Sequence, residues 1–536
     1  MDNPIVQRGY LSLILNWHNM LLLASGVIGL LLLTALTTAL HNLLLHPLRH
    51  HPGSLLAAAT PIPYWRAYLR GDIHTWVAAQ HRQHGATVRV APDRLSYIHP
   101  AAWKDIYGHR TGDRRAAPPP GKDPRFYGTS RAQEDEEERR RRRTSENAAA
   151  EGGGGGNGRN LAVIVDDAEH GRVRRIFAHA FSDRGLKAQE PLIRRYVDQL
   201  VANLARVAES GSPCDAVKMY NCTTFDVMGD LTFGESLGLL EASELSEWVS
   251  TLYKGIKSGV LGQISREYPL LGGLVVKLVP KELKKKAKDH FKFSEERVDR
   301  RLEKRGTAGE RPDIWGLVLK QEEGRGLGLK DMHANASLFM IAGTETTATL
   351  LSGLTYLLLK NPDKYERLVK EIRGSFESED ELTIENLQRL EYMHACFQEG
   401  LRIYPPVPIG LPREIPKGGA SIMGEWLPEK TRVSIPQWTA NLSSENFQEP
   451  LSFIPERWLP GSGFDKDRKD VLQPFSIGPR NCLGQNLAYH EMRIILSKVL
   501  WHFDLTMEPE SDGWLNQKCY VLWEKGPLMV TVTARK

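Results

Sequence analysis

The sequence concentrates its chemistry in Phe475-Ser476-Ile477-Gly478-Pro479-Arg480-Asn481-Cys482-Leu483-Gly484. A cysteine thiolate that ligates haem iron needs a backbone able to approach the porphyrin closely, and Gly478 and Gly484 provide turns and approaches that a Cβ would block. Arg480 offers a permanent cation to a haem propionate, and Phe475 can shield the sulfur from water. From Leu483 onward the chain reads as a helix over 486–500, whose positive N-terminal end favours a thiolate at Cys482. The other cysteines, Cys214, Cys222, Cys396 and Cys519, lie far apart and form no C-x-x-C pair. They suit neither a disulfide framework nor a cysteine zinc site, so they read as inert buried thiols in a reducing cytosol.

Three further constellations precede this stretch. Glu399-Gly400-Leu401-Arg402 places a carboxylate and a guanidinium three apart on one helical face, a spacing that taken alone is ordinary for a surface ion pair. Ala342-Gly343-Thr344-Glu345-Thr346-Thr347 is a polar cluster between the apolar runs Ala336 to Ile341 and Ala348 to Leu354, and such a cluster is costly to bury unless it is used. Gly343 lets that helix surface come close to a haem, and the threonine hydroxyls can bond back to carbonyls and loosen a turn into a groove. His170 and Arg174 are spaced by one helical turn, which fits a propionate clamp and a solvated basic face equally well.

Together these residues resemble the cytochrome P450 family. The haem pattern F-x-x-G-x-R-x-C-x-G is met at every fixed position, Glu399 to Arg402 is similar to the family's E-x-x-R, and Ala342 to Thr347 is similar to its A-G-x-[DE]-T-[TS]. Pro455-Glu456-Arg457-Trp458 resembles P-E-R-F with Trp458 in place of Phe. His46-Pro47-Leu48, Arg89 to Pro92 and His170 to Ser182 look closest to anchored members from filamentous fungi. The resemblance implies a mainly α fold with small β-sheets (α+β), the cytochrome P450 fold, preceded by one N-terminal transmembrane helix. It implies haem b (iron protoporphyrin IX) with Cys482 as the axial iron ligand, Arg480, Phe475, Gly478 and Gly484 around it, and His170, Arg174 and Arg413 as propionate donors. Glu345 and Thr346 become the catalytic proton relay, and Glu399, Arg402 and Arg457 a structural triad.

The same resemblance implies a monooxygenase that takes O2 as co-substrate and puts one of its oxygen atoms into a lipophilic small molecule. A tailoring step on a secondary metabolite such as a terpenoid, polyketide or alkaloid is expected. Electrons are expected from NADPH through a partner flavoprotein reductase, because no Gly-rich dinucleotide fingerprint accompanies a convincing βαβ unit here. Two other classes stay open: a reductase-independent haem-thiolate isomerase or peroxide-using enzyme, and a non-catalytic lipophile-binding protein. The Glu345-Thr346 pair disfavours the first, and the intact Cys482, Glu399, Arg402 and Arg457 disfavour the second.

The elements that must position these residues follow from pattern. Among 536 residues, 70 Lys plus Arg against 65 Asp plus Glu leave a formal net charge of +5, no global basic field of the kind that gathers nucleic acid. Tyr10 to Leu45 contains no charged residue other than histidine, and its apolar run from Met20 is longer than a signal-peptide core. Residues 20–45 therefore read as a membrane anchor behind a short segment 1–19. Arg49, Arg66 and Arg70 against Arg8 alone predict a single-pass endoplasmic reticulum protein with its bulk in the cytosol. Residues 46–63, with Pro47, Pro52, Pro61 and Pro63, read as a stiff linker, and 64–536 as the catalytic domain. Within it, 128–160, with an acidic block, five consecutive arginines and a glycine run, reads as a disordered insertion. Short strands are expected at 87–90 and 95–99, and helices over 192–207, 287–302, 332–359, 362–372 and 387–404. Residues 421–435 and 520–533 read as hairpins.

Overall fold

A computed structural model describes residues 4–110, 118–128, 158–244, 259–269, 272, 281–304, 313–319 and 326–535. The expected insertion 128–160 lies almost wholly outside the described residues.

Helix α1, Pro4–Leu44, contains the apolar span Asn19–Leu44, 26 residues with a hydropathy of 2.3, whose side chains apart from Asn42 near its exit are not buried by protein. At about 1.5 Å per residue that span exceeds the roughly 30 Å of a hydrocarbon core. The hydroxyls of Thr34 and Thr37 donate to the carbonyls of Leu30 and Leu33, so even these polar groups are satisfied within the helix. The segment after it differs from the expected stiff tether. Pro47 opens a single 3-10 turn, Ser54 caps α2 (Leu55–Ala59), and Pro63 occupies the first turn of α3 (Ile62–Arg70), a position where a missing N–H costs nothing. Asn42 donates to Ala59 O at 2.9 Å, and the buried Arg89 donates to Asn42 O at 3.0 Å, which fastens the anchor's exit to the body.

After α4 (Ile73–His84), strands β1 (Thr87–Ala91) and β2 (Arg94–Tyr97) form the expected hairpin. They begin a five-stranded sheet of order β1-β2-β8-β5-β3, in which β3 is Gly121–Lys122, β5 Arg413–Glu414 and β8 Arg432–Ser434. The β2–β8 pair is parallel and the rest antiparallel; in the β3–β5 register, Lys122 stands opposite Arg413. Strands β6 (Ala420–Ile422) and β7 (Glu425–Leu427) make one separate hairpin, and β10 (Lys518–Cys519) and β11 (Trp523–Glu524) another. The chain's last strand, β12 (Met529–Ala534), lies between β4 (Cys214–Asp215) and β9 (Phe503–Met507).

The helical body surrounds α8, Leu329–Leu359, which runs for about 46 Å at 1.5 Å per residue and is buried along most of its length. It begins three residues before the expected start and ends at the Asn361-Pro362 stop, where the proline's preceding residue leaves helical geometry. Packed around it are α5 (Asp167–Ala178), α6 (Asp183–Ser210), the almost fully buried α7 (Ala216–Phe233), α9 (Pro362–Gly374), α10 (Glu391–Ile403) and α11 (Gln485–His502). Helix α10 starts four residues later than expected, because Ile384–Leu387 forms a separate turn. A second, smaller apolar cluster, including Leu95, Tyr97, Trp103, Val433 and Phe447, packs against the five-stranded sheet.

Candidate functional site

Between α8, α5 and the turn that leads into α11 lies a cavity of about 410 Å³. One wall is the Phe475–Gly484 loop. Gly478 sits at φ +77°, in a 3-10 turn whose Cβ would run into the Tyr107 carbonyl, so only glycine fits there. The Cys482 N–H donates to Phe475 O at 2.8 Å and closes the loop, and the Cys482 side chain opens into the cavity while the other four cysteines are buried in the core. Arg174 on α5 donates to Asn481 O and Oδ1 at 2.7 and 2.6 Å, tying that helix to the loop. Burial pushes the Cys482 thiol up, whereas the Gly484 N–H and the Arg174 charge pull it back. A Cβ on Gly484 would come no nearer protein than 3.9 Å, at Phe181, so this glycine is spared for what the cavity holds rather than for the chain's own packing. Phe475, packed at a tilt against the Tyr489 ring, completes this wall.

The edge of the cavity where this loop meets α5 is rich in basic side chains. His170, Arg174, Arg413, Arg480 and Lys122 all line it. Arg480 donates to Ile164 O and Val165 O and pairs with Asp167 at 2.6 Å. Arg413 is buried, and its Nε finds no hydrogen-bond partner among the described residues. The His170 ring is pulled down to about 3, first by burial and then by the charges of Arg480, Lys122, Arg174 and Arg413. A haem presents an apolar macrocycle, two carboxylates at one edge and an iron that accepts a thiolate. A thiol on a glycine-bounded loop, apolar walls and an unpartnered guanidinium nitrogen among cations fit that group.

Helix α8 supplies the third wall. Thr346 faces the cavity with its hydroxyl bonded back to Ala342 O at 2.8 Å, and Thr344 makes the same return bond to Met340 O. A Cβ on Gly343 would lie 2.8 Å from Met228 Sδ on α7, so this glycine admits a neighbouring side chain as well as bordering the cavity. The expected reason, close approach to haem, covers only part of its role. Glu345 is not on the cavity wall. It is buried on another side of α8, with Oε1 2.6 Å from Lys525 Nζ, Thr349 beside it, and Oε2 without a partner among the described residues. From α11, Glu491 reaches the wall next to Thr347, and burial pushes its carboxyl up to about 8, so it is mostly protonated at neutral pH.

The residues of the expected triad meet in the core below. Arg402 grips Glu399 with two bonds of 2.9 and 2.8 Å and donates to the carbonyls of Asn441, Pro450 and Ser452. Arg457 reaches Glu399 at 3.1 Å and Asp467 at 2.5 Å. Trp458, the departure from the family pattern, donates its indole N–H to Glu399 at 2.8 Å, which a phenylalanine could not do. Lys122, Lys525, Glu491 and Asp467 went unnoticed in the sequence, because nothing in their local spacing connects them to the motifs they touch.

Residues 130–532 match the family model described as Cytochrome P450. The chain is 50% identical over 501 residues, 93% of its length and 100% of the relative's, to "Cytochrome P450 monooxygenase FUM2" of Gibberella moniliformis. It is 45% identical over 507 residues (94% and 98%) to "Cytochrome P450 monooxygenase AMT3" of Alternaria alternata, and 39% over 513 residues (95% and 91%) to "Averantin hydroxylase" of Dothistroma septosporum. The chain belongs to the cytochrome P450 family. It is a haem-thiolate monooxygenase of the kind fungi use in secondary metabolism, and its working parts are haem, O2 and a redox partner.

Proposed function

We propose that Cys482 is the axial ligand of the haem iron and that the cavity above it oxidises a lipophilic secondary metabolite. The observation that carries this reading is the single cavity-facing cysteine, on a loop that Gly478, the Cys482 N–H bond and Arg174 hold in one shape. Bound haem supplies thiolate-assisted activation of O2. The chain's own residues do the rest. Phe475 keeps water from the sulfur; Arg480, Arg413 and Arg174 neutralise the carboxylate edge of the macrocycle, and the neutral His170 ring can donate one N–H to it. Leu338, Phe339 and Val407 give the walls an apolar surface that excludes water and orients a lipophilic substrate by shape.

Thr346 holds the proton nearest the reacting atoms, on a hydroxyl that Ala342 O already orients. Glu345 resupplies it by leaving Lys525 and turning its carboxyl towards the Thr346 face of the helix. Glu399, Arg402 and Arg457 fix the segment before the cysteine loop. Electrons come from NADPH through a separate flavoprotein reductase docking near Cys482, and the anchor holds the chain in the endoplasmic reticulum membrane with its body in the cytosol, supported by Arg49, Arg66 and Arg70 just past the span. The name of the Dothistroma relative, averantin hydroxylase, makes averantin one substrate to try.

The test is a reconstitution of the full chain with NADPH, a fungal flavoprotein reductase and candidate lipophilic metabolites under 18O2. One 18O atom per product molecule, dependent on reductase, is expected. Product formed equally well with peroxide alone and never with the reductase would move the chain to the peroxide-using class.

A further inference from the structure

Pro406 and Val407 line the cavity, and behind them aromatic rings follow one another out to the protein surface. Trp523 of β11 donates its indole N–H to Pro405 O at 2.8 Å, one residue from the wall. Trp438, next to the cavity-lining Gln437, has its ring centre 6.4 Å from that of Trp523. The Tyr404 ring stacks on Trp523, with 5.1 Å between centres and 15° between planes. Trp514 follows 5.5 Å from Tyr404, and Tyr356 of α8 lies 5.8 Å from Trp514. Tyr356 ends the line: its hydroxyl donates to Asp512 O at 2.5 Å, beside the solvent-exposed Asp512 side chain that pairs with Lys360. A Cβ on Gly353 of α8 would run into the Tyr404 ring, so glycine there makes room for the line. Packing alone would be served as well by phenylalanine, yet none of the chain's 15 stands among these rings. Indole and phenol differ from a phenyl ring in giving up an electron far more readily.

We propose that Trp523, Tyr404, Trp514 and Tyr356 form an electron path from the surface to the cavity that protects the enzyme when activated oxygen finds no substrate. The proposal rests on the haem-thiolate reading above and adds a second function outside the oxidation of substrate. The family's O2 chemistry supplies the oxidant. Two electrons and two protons turn the unused oxygen atom into water, and they do so before it attacks the protein. Trp523 gives up each electron, and Tyr404 and Trp514 pass on a replacement from Tyr356. As its electron leaves, Tyr356 releases its phenolic proton to solvent at the Asp512 end, which balances the proton that solvent supplies at the cavity. A soluble thiol then returns one electron and one proton to the Tyr356 oxygen. Over the two electrons, two thiols become one disulfide, one water is formed and every ring is restored. Packing of the core without electron transfer is the rival role.

The two roles separate in the full-length holoprotein, treated with hydrogen peroxide in the absence of substrate, with the variants Tyr356→Phe and Trp514→Phe. Both substitutions keep an aromatic ring in place, and melting temperature and the CO difference spectrum check that each variant is folded and haem-loaded. Freeze-quench electron paramagnetic resonance is expected to show a tyrosyl radical in wild type that glutathione removes. That signal is lost in Tyr356→Phe, which removes its site, and in Trp514→Phe, which interrupts the line. Peroxide should bleach the haem absorbance several-fold faster in both variants than in wild type. A tyrosyl signal that survives in either variant, or a bleaching rate that neither changes, would overturn the proposal and leave packing. The same holds for a wild type with the thiolate CO band and no protein radical. A wild type without that band would instead defeat the haem-thiolate reading on which the proposal rests.

Discussion

Glu399 and Glu345 are both carboxylates buried in the helical body, and they are held in opposite ways. Glu399 accepts from Arg402, Arg457, the Ile454 N–H and the Trp458 indole, so both its oxygens are fully engaged. Glu345 has one cation, Lys525, with Thr349 beside it on the same oxygen, and its other oxygen is unpartnered among the described residues. A carboxylate bonded on every side is a fixed part of the scaffold. One held by a single ammonium can change partners by opening a single ion pair, which suits a group that must move a proton. Family motifs name both residues; only the network around each tells a brace from a relay.

The comparison breaks first at Glu399. Glu399→Gln leaves Arg402 buried without its counter-charge and Arg457 with Asp467 alone, a class of change that costs about 3–5 kcal/mol, and the variant is expected to unfold well below wild type or to accumulate without haem. Wild-type thermal stability in this variant would contradict the brace. Next comes Lys525→Met, which strands the Glu345 charge and is expected to lower stability by an amount nearer the bottom of that range. Adding Glu345→Gln should recover most of the loss, and a double-mutant cycle with no coupling would dissolve the pair.

Glu491 gives a smaller and pH-dependent effect. Burial pushes its carboxyl up to about 8 in the folded chain from an ordinary 4.5, so the folded state holds the extra proton between those values. The stability it contributes is complete below the lower value and is lost as pH rises through the upper one. Glu491→Gln should therefore gain on wild type in melting temperature from pH 5 to pH 8; a constant difference would show that the carboxyl is not buried as described. The smallest effect is at Trp458, where Trp458→Phe removes one of several donors to Glu399 and should cost about 1 kcal/mol, with the CO spectrum unchanged.

How far the sequence could be read depended on whether a residue's partner was local. The helices were legible because apolar periodicity is a property of consecutive residues, and α8 ends where Asn361-Pro362 says it must. Cys482 stood out because its loop glycines are neighbours in sequence, and Gly478 proves to be sterically obligatory. The prolines after the anchor suggest a tether only if each breaks a helix, whereas Pro47 and Pro63 occupy first turns, where they start helices. Lys525 was invisible because it meets Glu345 from 180 positions away, and Lys122 because its setting depends on a strand pairing with Arg413. Glu345 sits about 100° round α8 from Thr346, as the helical period dictates, but the lysine that meets it there comes from outside the motif.

The central claim is that Cys482 holds a haem iron through its thiolate. The most direct measurement is the CO difference spectrum of the dithionite-reduced full chain, for wild type and for Cys482→Ala. A Soret band strongly red-shifted from that of histidine-ligated haem, present in wild type and lost in the variant, is the predicted result. A correctly folded, haem-loaded wild type without that band, or a Cys482→Ala protein that keeps it, would contradict the account.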